Sequence, residues 1–377
     1  MKKIVFVIES LSLGGAEKSL VTLLQNLDYS QYNVDLITFK KKGFFREFVP
    51  KEVNCIILTI PKLSLIDRVR YLITRKLISN QHNAQLFWSI IQNKFKKVHN
   101  NYDIAIAYNQ GLVTYFVNKY IFANKKYAWL NTDYKKAGYN IAFDYPIYKN
   151  LDGVIAVSTE TKMRLDEELN KINKKMPIEI IKDITDQKII QQQAGYQQKV
   201  KFNKNKLNLV SVGRLVSSKG FKLAIEACKI LLDKGYPIQW YIVGEGSERE
   251  NLEKSILRNK LEGCFFLIGA DSNPYTYMKK ALIYVQTSLF EGLGLTVVEA
   301  SYLYKPIVST NFPTIHGIIK DGKTGLVAEM NAESIAIQIE RLILDETLRN
   351  KLTYNLSKQK NKEKEKSLDK IYTLFKK

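Results

Sequence analysis

Short apolar runs alternate along this 377-residue chain with segments whose apolar residues recur every three or four positions. Residues 4–8, 34–39, 55–60, 104–108, 127–130 and 154–158 are continuous apolar stretches, the pattern of strands buried on both faces of a parallel sheet. Between the first two, Ala16, Leu20, Leu23, Leu24 and Leu27 keep the i, i+4, i+7, i+8, i+11 spacing of one helix face, so the chain opens as strand, helix, strand. After 178–181 comes a glutamine- and lysine-rich stretch with little apolar periodicity, and a linker is expected over 186–206. A second alternation then predicts strands over 209–212, 238–243, 265–268, 283–286 and 306–309, with helices over 221–232, 247–257, 274–282 and 296–303. From residue 332 the pattern is helical, ending in a mixed-charge run, 361–366, and the apolar-spaced Leu368, Ile371, Leu374 and Phe375.

The expected fold class is therefore α/β: two doubly wound, Rossmann-like domains facing each other across a cleft. The first domain is expected over 1–185 and the second over 207–358, with a terminal helix, 359–377, able to return to the first. The length fits two hydrophobic cores better than one. No segment approaches the roughly 20 apolar residues of a membrane-spanning helix, and the opening Met1-Lys2-Lys3 run stops at Glu9, so it reads as a strand and not as a signal peptide.

Composition narrows the chemistry. Cys55, Cys228 and Cys264 are odd in number, far apart and set in apolar segments, which points to a reducing, cytoplasmic compartment. His82, His99 and His316 form no metal-ligand spacing, so neither a metal nor a cofactor is expected. The net charge of +21 gives the chain a lasting attraction to phosphate-rich partners. Anionic lipid and phosphorylated substrates fit that charge; nucleic acid is disfavoured because no recognition motif accompanies the basic residues. A nicotinamide enzyme is disfavoured too, since no complete G-x-G-x-x-G follows a strand.

The strongest local signal is Phe290-Glu291-Gly292-Leu293-Gly294-Leu295-Thr296-Val297-Val298-Glu299. Eight helical steps would part its two glutamates by about 12 Å, too far for the paired carboxylates of a glycosidase but suited to reading two ends of one elongated ligand. Gly292 and Gly294 let backbone approach phosphate, and the amides that open the following helix can donate to it. A second element, Gly213-Arg214-Leu215-Val216-Ser217-Ser218-Lys219-Gly220, places two cations just after a strand, as two adjacent phosphates require. Gly14-Gly15-Ala16-Glu17 follows the first strand, and Gly244-Glu245-Gly246 follows a later one.

In these elements and their order the sequence resembles glycosyltransferase family four, the retaining GT-B enzymes marked by an E-x7-E element. The resemblance implies transfer of a hexose-type sugar from a nucleotide diphosphate donor, with uridine the commonest base, and no metal. It places Arg214 and Lys219 on the diphosphate, Glu291 on the sugar and Glu299 on the ribose. Gly14, Gly15, Gly244, Gly246, Gly292, Leu293, Gly294, Leu295 and Thr296 complete the implied donor site. Relatives carry a histidine near the reacting carbon in a Trp-x-His-x-Asp-Tyr stretch; here Trp129-Leu130-Asn131-Thr132-Asp133-Tyr134 puts Asn131 there, able to donate a hydrogen bond to the sugar but not to act as a base. His316-Gly317 departs as well, where relatives often carry an acidic residue. The implied acceptor is a polyprenyl diphosphate-linked glycan in bacterial surface polysaccharide, capsule or cell-wall assembly, reached by a peripheral enzyme on the inner face of the membrane. Basic clusters at 40–46, 68–76 and 94–97, interleaved with Phe44, Phe45, Leu72, Ile73, Leu86, Phe87 and Trp88, are expected to meet that anionic surface. The alternative is a non-catalytic GT-B scaffold or partner subunit of an active transferase.

Overall fold

The computed structural model describes residues 1–12, 14–77, 82–96, 98, 100–359 and 362–377. Lys97, His99 and Asn361, each named above, lie outside the described residues. The chain divides into two compact units, one of 1–184 with 363–377 and one of 185–362.

The first unit runs β1 (Lys2–Ile8), α1 (Gly15–Leu24), β2 (Tyr32–Thr38), β3 (Asn54–Ile57), α2 (Leu65–Leu77), α3 (Asn83–Ile91), β4 (Asn101–Ala107), α4 (Leu112–Tyr120), β5 (Phe122–Leu130), α5 (Ile141–Tyr148), β6 (Gly153–Ala156), α6 (Thr159–Lys171) and β7 (Ile178–Ile180). The second continues with α7 (Gln187–Gln193), β8 (Leu207–Val212), α8 (Phe221–Asp233), β9 (Ile238–Val243), α9 (Arg249–Arg258), β10 (Phe265–Leu267), α10 (Tyr275–Lys280), β11 (Ile283–Gln286), α11 (Leu295–Tyr302), β12 (Ile307–Thr310), β13 (Leu326–Ala328), α12 (Ala332–Leu344) and α13 (Glu346–Ser357). The helix α14 (Glu363–Lys376) belongs to the first unit.

The strand orders are β3-β2-β1-β4-β5-β6-β7 and β10-β9-β8-β11-β12-β13, and every named pair is parallel. Both sheets reverse direction of travel beside their first strand, between β1 and β4 in one and between β8 and β11 in the other. In doubly wound sheets ligands settle at that reversal, beyond the carboxyl ends of the strands. The continuous apolar runs arise because helices cover both faces: in the second unit Leu209, Trp240, Ile242 and Val285 pack one way, and their neighbours Val210, Tyr241, Val243 and Tyr284 the other. Even the buried indole is satisfied, since Trp240 Nε1 donates to Ser211 Oγ at 2.9 Å and that hydroxyl donates to the Val285 carbonyl at 2.6 Å.

Two features depart from the sequence reading. The stretch expected as a linker carries α7, which is built into the second unit: Gln187 donates to Tyr304 Oη, Gln191 to the Tyr302 carbonyl, and Ile190 and Ala194 are buried. Leu86 and Trp88, expected at a basic surface, are buried residues of α3, and Trp88 packs with Tyr115 and Phe95. Phe44, Phe45 and Phe48 are half-buried against one another, with ring centroids 5.1 to 6.4 Å apart. Among the described residues no helix is long and apolar enough to cross a membrane.

Candidate active site

At the carboxyl ends of β8 and β11 the second unit gathers the residues singled out by their spacing. β8 ends at Val212, and Gly213 to Val216 lead into a single 3-10 turn, Ser217–Lys219, before α8 begins. This loop is pinned from two sides. The turn after β9 holds it through Leu215 N to the Glu245 carbonyl at 2.9 Å and Glu248 N to the Leu215 carbonyl at 2.9 Å, while the loop after β11 holds it through Leu289 N to the Ser218 carbonyl at 2.8 Å. Thr287 Oγ1 adds a bond to the Lys219 carbonyl at 2.9 Å.

The close packing explains two glycines. A Cβ on Gly244 would stand 1.8 Å from the Gly213 carbonyl oxygen, and one on Gly246 2.3 Å from that of Leu215. Both glycines seat the cation-bearing loop by backbone approach. Gly294 is of another kind: it caps α11 with φ of 75°, the left-handed region.

Lys219 reaches across from this loop to the next, where its Nζ lies 2.5 Å from Glu291 Oε1. The same oxygen accepts from Ser288 Oγ at 2.6 Å and Gln286 Nε2 at 3.0 Å. Gln286 cannot turn away, because its Oε1 accepts from Tyr284 Oη at 2.6 Å and from Thr296 Oγ1 at 3.1 Å. The outcome is a half-buried ion pair in which one carboxylate oxygen takes three donors. The sequence reading put the two cations on the diphosphate, between Glu291 on the sugar and Glu299 on the ribose; in the structure Lys219 is joined to Glu291 directly.

The remaining second-unit candidates are dispersed around this pair. Arg214 is exposed on the same loop, and no described residue pairs with it. Gly292 is buried, while Leu293, Leu295 and Thr296 are half-buried at the start of α11. Glu299 is 1% exposed, further along α11, and accepts from Tyr275 Oη at 3.4 Å. His316 Nε2 lies 2.8 Å from Asn311 Oδ1.

In the first unit Gly14 caps α1 in an extended conformation, its carbonyl accepting from Lys18 N at 3.1 Å, and Gly15 is exposed. Asn131 follows β5. Its Nδ2 donates to the Tyr108 carbonyl at 3.0 Å and approaches Asn109 Oδ1 at 3.4 Å. The donors expected to serve a ligand are thus engaged within the unit, and Asn131 Oδ1 is buried with no hydrogen-bond partner among the described residues. Beneath it, Ser19 Oγ donates to Asp183 Oδ1 at 2.6 Å and lies 2.8 Å from Tyr108 Oη; burial pushes the Asp183 carboxyl up to about 6.

Sequence reasoning missed Gln286 and Ser288. One signal was present: a glutamine ends the apolar Ile283–Gln286 strand, and a polar side chain at the carboxyl end of a buried parallel strand faces the ligand side.

With this geometry in hand, comparison with known proteins is informative. Residues 192–359 match the family model for glycosyl transferases group 1. Over 146 residues the chain is 30% identical to the capsular polysaccharide biosynthesis glycosyltransferase CapM of Staphylococcus aureus, covering 38% of each chain. It is also 30% identical over 141 residues to the poly(ribitol-phosphate) alpha-N-acetylglucosaminyltransferase of that species, covering 36% of this chain and 28% of the relative. These matches span well under half the length of the relatives. Among solved structures, Anabaena HepE in complex with UDP-glucose superposes with a TM-score of 0.72 at 15% identity, over 99% of this chain and 100% of that one. A mutant of S. aureus TarM bound to UDP gives 0.71 at 17% identity, over 100% of both. The chain therefore has the GT-B fold, and its 192–359 segment matches the glycosyl transferases group 1 family.

Proposed function

We propose that this chain is a retaining glycosyltransferase of family four that moves a hexose-type sugar from a UDP-linked donor to a polyprenyl diphosphate-linked glycan in bacterial surface polysaccharide assembly. The observation that carries the reading is the Lys219–Glu291 pair, locked by Gln286 and Ser288 where β8 and β11 part. A cation beside a carboxylate can meet both parts of a sugar diphosphate. Lys219 Nζ, with Arg214 on the same loop, neutralises the leaving diphosphate, and the second oxygen of Glu291 accepts a hydroxyl of the sugar. Gly292 and Gly294, with the amides of Leu293, Leu295 and Thr296, border the phosphates, and Glu299 takes the ribose with Tyr275 holding one of its oxygens.

No histidine stands at position 131. The acceptor proton passes instead to the departing phosphate, which leaves from the face the acceptor enters, so retention needs no protein base. Asn131 keeps the Tyr108 loop in place by donating to the Tyr108 carbonyl. The solved relatives with this fold bind UDP or UDP-glucose, and the named relatives act in capsule and polyol-phosphate polymer synthesis; both support the donor and the setting. The acceptor side is proposed to meet an anionic membrane through the basic residues of the first unit, including Lys40, Lys41 and Lys42, all exposed.

The test is release of UDP from a panel of UDP-hexoses and UDP-N-acetylhexosamines by the full chain. One donor turned over well above the rest supports the reading. Failure to bind any of them or free UDP would leave the non-catalytic scaffold as the better account.

A further inference from the structure

The helix α2 is attached to its unit by its polar side. Asp67, Tyr71 and Thr74, spaced i, i+4 and i+7, form its half-buried line. Asp67 closes the helix start with Ser64, accepting from Ser64 N at 2.8 Å and Ser64 Oγ at 2.6 Å, and it is ion-paired with Lys94. Tyr71 meets the edge of Phe87. The opposite side carries Leu65, Ile66, Val69, Leu72 and Ile73, which are 79, 80, 56, 62 and 54% exposed. At 100° per residue these five cover an arc of about 120°, centred nearly opposite the attached line.

Surface helices of water-soluble domains place such an arc against the core. Here five large apolar side chains face outward together, a patch of the kind that marks an interaction surface. The charges identify what it meets. Arg68 and Arg75 flank the arc on one side, Arg70 on the other, and Lys76 closes its end. The only acid on the helix, Asp67, is turned inward and neutralised by Lys94. An apolar stripe edged by arginine matches the boundary between acyl chains and anionic headgroups, and the chain's net charge of +21 favours the same partner.

We propose that α2 is an in-plane docking helix whose apolar arc sinks into an anionic phospholipid surface while its arginines pair with lipid phosphates. This rests on the membrane-facing acceptor reading above, and names the element that makes the contact; it does not rest on the donor assignment.

The experiment is sedimentation of the full chain with vesicles of phosphatidylcholine alone, or with about 30% phosphatidylglycerol, near 150 mM salt. Strong binding only to the anionic vesicles is expected. Leu72→Ser with Ile73→Ser should weaken it at least tenfold, as should Arg68→Gln with Arg70→Gln and Arg75→Gln, with UDP release in solution unchanged for both. Because the substituted chains are exposed, the melting temperature should hold. Ile66→Trp supplies a second readout, a blue-shifted emission on anionic vesicles. Wild-type binding that both α2 variants retain, with no shift from the tryptophan, overturns the role of α2 and leaves the membrane reading standing on other residues. Absence of wild-type binding overturns both, and self-association of the wild type that the Leu72/Ile73 variant abolishes, without vesicle binding, assigns the arc to a second copy instead.

Discussion

Glu291 Oε1 accepts from three donors at once, two of them neutral groups held by their own bonds and the third the ammonium of Lys219. Removing Lys219 therefore has two separable effects. With alanine at 219, the loss of phosphate neutralisation should lower turnover by roughly 10²–10³-fold. The carboxylate left half-buried with one donor fewer should destabilise the second unit by about 1–3 kcal/mol. Steady-state kinetics and denaturant melts check the two effects independently, and near-normal turnover rules out the phosphate role. Glu291→Gln should impair binding of the nucleotide-sugar more than of free UDP; equal losses in calorimetry would remove Glu291 from the sugar. Glu299→Gln should weaken free UDP itself, unless Glu299 merely anchors Tyr275. In the first unit, Asp144 is fully buried and accepts from Tyr115 Oη at 2.6 Å and Gln85 Nε2 at 2.8 Å. Burial raises its carboxyl to about 6, against 3.8 in water. The folded state thus holds the proton more tightly than the unfolded chain, and stability from this group is full below about pH 4 and lost as pH rises through 6. The difference in unfolding free energy between wild type and Asp144→Asn should change across that window by about 3 kcal/mol and be flat above it; a difference independent of pH would show the carboxyl to be ionised throughout.

Among the elements, the turn after β9 matters to the site although none of its side chains touches the Lys219–Glu291 pair. A methyl on Gly244 would enter the Gly213 carbonyl, which is backbone and cannot swing aside. Gly244→Ala should consequently displace the cation-bearing loop, lowering donor affinity at least tenfold together with the melting temperature; a variant that loses neither would mean the two loops separate freely. The places of Arg214, Lys219, Gly244, Gly246 and Glu291 in loops after β8, β9 and β11 were legible because apolar runs mark the ends of those strands. The expected strands over 4–8, 104–108, 209–212 and 283–286 are centred within β1, β4, β8 and β11 for the same reason: the middles of these strands are covered on both faces and are apolar. What the residue pattern hid depends on distant partners. α7 buries Ile190, with Ala194 just past its end, and its polar side chains are anchored by Tyr302 and Tyr304, more than a hundred positions away. Leu86 and Trp88 looked like companions of nearby lysines, but both are buried, Trp88 against α4. α2 inverts the usual rule, since its apolar face is the one left outside.

At the scale of the molecule, the first unit is discontinuous in sequence. α14 buries Ile371, Leu374 and Phe375 in it. Phe375 meets Phe6 and Tyr32 edge-on, Tyr372 stacks on Tyr32 at 5.9 Å, and Lys2 Nζ donates to the Phe375 carbonyl at 2.8 Å. A chain ending at 362 should expose the β1–β2 surface of the first unit while the second keeps its core. Hydrogen exchange should then rise in β1, α1 and β2 and stay unchanged in β8 to β13; uniform protection would make α14 dispensable. The same arrangement sets an order of events at the ribosome. Residues 185–362 emerge before α14 does and can fold as soon as they are free, whereas the earlier unit must wait with one side of its sheet uncovered until that helix has been translated. For that interval the nascent chain carries a finished later half and an unfinished earlier one, and any chaperone that attends it should be found on the strand nearest the start.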